Sequence, residues 1–338
     1  MRLNQRYTTF FVFVSLLSSV IGCNRKVDTS GAPRIAYVTN GVASFWSIAK
    51  IGAEKAGRDL GVHVSVHMPA EGIADQKRMV EDILVRGVDG IAISLIDATN
   101  QTGFVNQVAD QTTLITHDAD APLSRRLAYV GMDNYLAGRM VGKLIKENLP
   151  EGGQLAILVG RIEQDNARKR RQGVIDEVMD RELNPNRFDL LDSPIQNDKY
   201  SFVVTLTDQF DRVKAKSNCE DVLLKHPEVN ALVGLFAYNI PLCMEALKQT
   251  DGKRDIRLFA FDEADQTLQG IVDGSVVGTV VQNPYQYGYE SIKLLKAILN
   301  KEPNSIPNSK FIDIPARTIT KDNVSEFWSD LKQKVSGS

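Results

Sequence analysis

The sequence predicts an α/β protein built from two similar, doubly wound parallel-sheet domains. Three observations carry that expectation. The chain has 338 residues, and at about 150 residues per domain that suggests two cores. Short apolar runs alternate with amphipathic helical stretches, the rhythm of βαβ units. The rhythm then restarts midway, at Gln154, and repeats. Composition fits a folded body, with 43% hydrophobic and 24% charged residues. Lys and Arg number 40 against 42 Asp and Glu, so the basic surplus of a nucleic-acid binder is missing.

The N-terminus is expected to stand outside this fold. Arg2 and Arg6 precede an apolar run over residues 8–22, short of the roughly 20 residues a membrane-spanning helix needs. It ends in Val20-Ile21-Gly22-Cys23, which resembles the lipobox of bacterial lipoproteins. Small residues before the cysteine suit a narrow peptidase site, and the thiol is the nucleophile for acylation. Residues 1–22 therefore read as a lipoprotein signal peptide, Cys23 as the lipidation site, and 23–33 as a flexible polar tether. The expected location is the periplasm or cell envelope, anchored to a membrane through acylated Cys23. Cys219 and Cys243 are the cysteines left in the body, too few for a disulfide scaffold. Both sit in helix-like segments, where a small buried thiol is the simplest expectation. A disulfide between them stays open, because sequence does not give their separation.

In the first half, residues 34–39 form an apolar run suited to a buried parallel strand. Residues 45–60 are helical, with Ile48, Ile51, Ala56 and Leu60 as the apolar positions. Residues 62–67 alternate strictly, as a strand does. Helix 76–86, strand 90–94, helix 103–110 and strand 113–116 continue the series. The second half repeats it with strand 154–159, a helix from about 166 to 179, strand 188–191 and helix 212–225. Strand 231–235, helix 241–249 and strand 256–261 follow. The pieces Arg86-Gly87-Val88-Asp89-Gly90-Ile91 and His226-Pro227-Glu228-Val229-Asn230-Ala231 occupy the same step in each half. In such sheets the ligand crevice lies beyond the strand carboxyl ends.

Several phrases in order then point to a family: Asn40…Phe45-Trp46, Ile115-Thr116-His117-Asp118, Asp133-Asn134…Gly138, the run from Ala167 to Gly173, Phe210-Asp211-Arg212, His226-Pro227, Phe261-Asp262 and Gln282…Gly288. From about Ile35 to Pro315 the chain resembles the periplasmic sugar-binding proteins of the ribose and galactose type, a fold shared with the core of the lactose-repressor family. The resemblance implies a type I periplasmic binding protein, whose two lobes are joined by a three-strand hinge. Matching crossings fall near Asp133, Asn283 and Asp313. One lobe would hold residues 34–132 plus 284–313, the other 133–283 plus 314–338.

A sugar offers hydroxyls at its edges and C–H groups on its faces, so its site needs bidentate polar side chains and aromatic rings. By resemblance, Asn40, Phe45, Trp46, Ser94, Asp118, Arg170, Phe210, Asn239, Asp262 and Gln282 fall on ligand-contacting positions, and Arg168 joins Arg170 at the same helix start. The bland alternatives are core packing for Phe45 and Trp46, solvation for part of the 168–171 run, and helix capping for Asp133 and Asn134. His63 and His67 share a strand face without a third ligand, so no metal is expected, and no cofactor either. Ribose binders carry asparagine where Ser94 stands and arginine where Ala119 stands. The segment before Asn239 is longer here. The fold therefore transfers better than the identity of the sugar.

The function implied is a lipid-anchored, monomeric receptor that delivers a monosaccharide or polyol to an ABC transporter permease. A sugar-sensing subunit of a membrane signalling protein stays open beside it. A repressor-type regulator would need a helix-turn-helix module where leader and tether stand. An enzyme is not expected, since G-x-S-x-G, Walker A and G-x-G-x-x-G patterns are all missing.

Overall fold

The computed structural model describes residues 31–191, 193–249 and 255–336. The expected signal peptide, the expected lipidation site Cys23 and most of the expected tether lie outside the described residues. The first half runs β1 (Arg34–Val38), α1 (Ser44–Leu60), β2 (His63–His67), α2 (Ile73–Arg86), β3 (Gly90–Ile93), α3 (Ala98–Ala109), β4 (Thr113–His117) and β5 (Tyr129–Gly131). The second half runs α4 (Asn134–Asn148), β6 (Gly153–Val159), α5 (Asp165–Val178), β7 (Ile195–Gln196), β8 (Tyr200–Thr207), α6 (Arg212–Lys225), β9 (Ala231–Gly234), α7 (Asn239–Gln249), β10 (Arg257–Phe261), α8 (Asp265–Asp273) and β11 (Gly278–Val281). The chain ends with α9 (Pro284–Leu299), β12 (Phe311–Asp313), β13 (Arg317–Ile319) and α10 (Val324–Ser336).

These strands form two sheets. The first has the order β12-β5-β4-β3-β1-β2 and is parallel throughout. The second has the order β13-β11-β10-β9-β6-β8-β7, parallel except for its two edge strands. The chain passes between the sheets after β5, after β11 and after β12. At the first passage Asp133 caps α4, its carboxylate accepting from the N–H groups of Tyr135 and Leu136. At the second, Asn283 caps α9 and Pro284 takes the first helical position, where its missing N–H has no partner to lose.

The helix after each of these two passages packs against the first helix of its sheet, and glycines let the backbones touch. A Cβ at Gly138 of α4 would overlap the carbonyl oxygen of Arg170 on α5. One at Gly288 of α9 would overlap the carbonyl oxygen of Ala49 on α1.

Two expectations are corrected here. Residues 188–191 are not a strand, because side chains take up their polar groups. Asp189 donates its N–H to Gln172 (2.8 Å), and its carbonyl accepts from Arg171 (2.6 Å). The strand beside β6 is instead β8, bent by a bulge where Leu155 and Ala156 shift register. Cys219 and Cys243 are not free thiols but a disulfide joining α6 to α7, with Cα atoms 5.4 Å apart. Closing that 24-residue separation is worth about 3.5 kcal/mol through the entropy of the unfolded chain.

Candidate functional site

The site starts from two equivalent turns. β4 and β10 each run into an aspartate in the left-handed region, Asp118 at φ 56° and Asp262 at φ 66°. Aspartate tolerates that conformation better than bulky or branched residues do. The Asp118 N–H donates to the Val130 carbonyl on β5 (3.1 Å), and the Asp262 N–H to the Val280 carbonyl on β11 (2.9 Å). One residue earlier on each neighbouring strand, a hydroxyl pins the aspartate's own carbonyl: Tyr129 at 2.9 Å and Thr279 at 2.8 Å.

Each carboxylate has one side-chain donor. Asn40 donates to the Ser94 hydroxyl (3.1 Å), which donates to Asp118 (3.0 Å). Tyr287 donates to the Gln282 carbonyl oxygen (3.1 Å), and the Gln282 amide donates to Asp262 (2.9 Å). Arg170 acts electrostatically on both carboxyls. Its guanidinium lies over the Phe261 ring at 4.2 Å, donates from Nε to Asn134 (2.9 Å) and from Nη1 to the Leu235 carbonyl (3.1 Å). Its Nη2 is buried with no hydrogen-bond partner, so one strong donor is left over.

Burial dominates the titration of these acids. It pushes the Asp118 carboxyl up to about 6, against the opposing pull of Arg170 and the Ser94 hydrogen bond. Asp262 is raised for the same reason, opposed by Arg170 and Gln282. Next to Asp118, burial holds His117 down at about 3. The His117 Nε2–H donates to the Val38 carbonyl (3.1 Å), leaving Nδ1 to accept from Tyr37 (3.0 Å). This neutral ring stacks on Tyr37 and meets the edge of Trp46, which fixes the indole.

Asn40, Phe45, Trp46, Asp118, Arg170, Phe210, Asp262 and Gln282 all line one cavity of about 340 Å³, within the common size range of small-molecule pockets. Trp46 serves both as core and as cavity wall. Ser94, Arg168 and Asn239, expected beside them, are outside the wall. Ser94 stands behind Asp118 as its donor. Arg168 is two residues from Arg170, about 200° around the helix, so it faces outward and covers Phe188 at 4.7 Å.

Asn239 is buried behind an aromatic wall of which the sequence singled out only Phe210. It donates to Asp208 (3.1 Å) and its carbonyl oxygen accepts from the Phe236 N–H (3.0 Å). Asp208 also accepts from the Tyr238 hydroxyl (2.6 Å) and the Phe210 N–H (2.8 Å). That scaffold sets Phe210, Phe236 and Tyr238 edge to face or stacked. Phe210 itself sits at φ 65°, a strained conformation for a bulky residue. The lining also includes Gln164, Asn166 and Arg212. Two aromatics so close after a strand, Phe236 and Tyr238, were the signal available for this wall. Among the described residues no cluster of three metal-ligating side chains occurs.

Comparisons with known proteins agree with this fold. The family model described as periplasmic binding protein domain matches residues 35–303. The chain is 25% identical over 304 residues to the ribose import binding protein of Escherichia coli (strain K12), covering 89% of this chain and 95% of the relative. It is 26% identical over 246 residues to the ribose import binding protein of Bacillus subtilis (strain 168), covering 72% and 74%. Among solved structures, the glucose-galactose binding protein of Geobacillus stearothermophilus superposes with a TM-score of 0.77 at 25% identity, covering 86% of this chain and 98% of that one.

Proposed function

Because the chain belongs to the periplasmic binding protein family, we propose that it captures a monosaccharide or polyol between two lobes and hands it to an ABC transporter permease. The observation that carries this reading is the pair of strand-end carboxylates, Asp118 and Asp262, sharing one cavity with the spare Nη2 donor of Arg170. Acceptors from both sheets and a donor beside them suit adjacent hydroxyls, and the rings of Trp46, Phe45, Phe210 and Phe236 suit the C–H faces. The carboxylates serve here as hydrogen-bond acceptors rather than as acid and base. Asn40 and Gln282 orient those carboxylates from the cavity wall, while Ser94 and Asn239 act from behind it.

On this reading the lobes comprise residues 34–132 plus 284–313 and residues 133–283 plus 314–338. The receptor is extracytoplasmic and is held to a membrane through acylated Cys23. The Cys219–Cys243 disulfide supports that location, since such bonds persist where the surroundings are oxidising. A thermal-shift screen with D-ribose, D-glucose, D-galactose and simple polyols tests the reading, because a ligand held only by the native chain raises its melting temperature. Asp262→Ala should then weaken the best hit roughly tenfold to a few hundredfold by calorimetry. Lys169→Ala, whose side chain pairs with Asp165 at 2.8 Å, should bind normally. Unchanged affinity in Asp118→Ala, Arg170→Ala and Asp262→Ala together would move the ligand out of this cavity.

A further inference from the structure

Gln164 ends the loop between β6 and α5, on the side of the second sheet. Its amide Nε2 donates to the main-chain carbonyl of Ile96 at 2.9 Å. Ile96 follows β3 of the first sheet, so this hydrogen bond joins the two halves across the crevice. The acceptor is firmly held. Gln101 Oε1 accepts from the N–H groups of Ile96 (3.0 Å) and Asp97 (2.8 Å). Gln101 in turn donates to Gln76 (2.7 Å), which donates to the carbonyls of Thr39 and Ser94, both at 2.8 Å. The Ile96 carbonyl is thereby tied to the ends of β1 and β3.

The other end of the same amide is unsatisfied. Gln164 Oε1 is buried without a hydrogen-bond partner, the residue is 3% exposed, and it lines the cavity. Buried polar atoms are normally paired, so an orphan in a cavity wall marks a place for a ligand atom. We propose that Gln164 is a binding residue that also latches the lobes, its Nε2 gripping the Ile96 carbonyl while its Oε1 accepts a hydrogen bond from a ligand hydroxyl. One planar amide then couples occupancy to closure, because fixing either end orients the other. A carbonyl oxygen only accepts, so the ligand must present a donor at this point, and a deoxy or O-methyl sugar loses the contact. The ligand half of this proposal rests on the sugar-binding reading above; the inter-lobe half does not.

Two variants separate the roles. Gln164→Met keeps the side chain's length and removes both polar ends. Gln164→Glu keeps acceptor oxygens but, as a carboxylate, has no proton for Ile96. Small-angle scattering of the ligand-free chain should show the ratio of closed to open forms falling about two- to tenfold in both variants, the worth of one neutral hydrogen bond. Calorimetric titration with D-ribose, D-glucose and D-galactose should show Gln164→Met losing more affinity than Gln164→Glu, with melting temperatures near that of the parent. Wild-type scattering in both variants would overturn the latch, and wild-type affinity in Gln164→Met would overturn the contact to ligand. If none of the three sugars binds the parent, or Arg170→Ala binds them normally, the sugar reading fails instead, and scattering alone decides the latch.

Discussion

Replacing Arg170 with methionine removes the guanidinium and keeps an unbranched side chain. Two effects should follow. The spare Nη2 donor disappears, and a charge-assisted hydrogen bond of about 1.5–3 kcal/mol corresponds to roughly tenfold to a few hundredfold in affinity at neutral pH. The second effect appears in the pH profile. The Asp118 carboxyl is already pushed up to about 6 by burial, with Arg170 the first of the influences holding it down. On the proposed reading, ligand hydroxyls donate to the ionised form, so binding should lower this pKa and release a proton below about pH 6. For the parent protein, affinity should therefore fall by up to one decade per pH unit below about 6 and stay level above it. An opposite charge nearby depresses a carboxyl by about one to three pH units. Its removal in Arg170→Met should move the start of the fall up from about 6 by a similar amount, to neutrality or above. Calorimetric titration from pH 5 to 9, in two buffers of different ionisation enthalpy, reads both affinity and proton release. An Arg170→Met profile that breaks at the same pH as the parent would refute the electrostatic coupling, even if affinity were lower throughout.

Gly138→Ala should lower the melting temperature by roughly 3–10 °C, from overpacking of about 1–3 kcal/mol. A Cβ there would stand 2.9 Å from the Arg170 carbonyl carbon, so the same variant should bind sugar more weakly, and a normal melt would show that α4 and α5 can part freely. Reduction of the Cys219–Cys243 disulfide should lower the melt by roughly 7–14 °C, from the loss of about 3.5 kcal/mol. A chain that melts equally with and without reductant would contradict the bond. Cys23→Ala should release the protein from membranes or leave an unprocessed precursor; mass spectrometry showing an unmodified Cys23 within an intact mature chain would exclude the anchor.

Most of the sheet strands were legible because both faces of a parallel sheet are covered, which leaves unbroken apolar runs such as Ile35 to Val38 and Leu155 to Val159. The strand ends were legible too: Asp262 directly follows the apolar run Leu258 to Phe261, and Asp118 follows Leu114-Ile115-Thr116-His117 at the same step of the first half. Residues 188–191 failed for a reason composition conceals: Phe188 and Leu190 look strand-like, yet the Asp189 backbone bonds with Gln172 and Arg171 rather than with a ladder. Arg168 and Arg170 could not be separated by type, only by helical phase. Asn239 was singled out, but its role behind Phe210, Phe236 and Tyr238 depends on Asp208, thirty-one positions away in sequence. The disulfide was equally hidden, because two buried helical cysteines have the same local pattern whether or not they meet.

The polarity of the groups that face the cavity narrows the ligand further than their number does. Asp118, Asp262 and the Gln164 carbonyl oxygen can only accept when the acids are ionised, whereas Arg170 Nη2 can only donate. A hydroxyl meets either requirement by rotating, so a polyhydroxylated ring can satisfy all four without carrying charge. An anionic ligand fares worse. The two carboxyls are already raised by burial, and Asp262 raises Asp118 further. A further negative charge would add to that repulsion and compete with both acids for Arg170. A cationic ligand would relieve the acids but place its charge near the buried guanidinium. Neutral hydroxyls avoid both penalties, and the rings of Trp46, Phe210 and Phe236 then cover the carbon faces that remain.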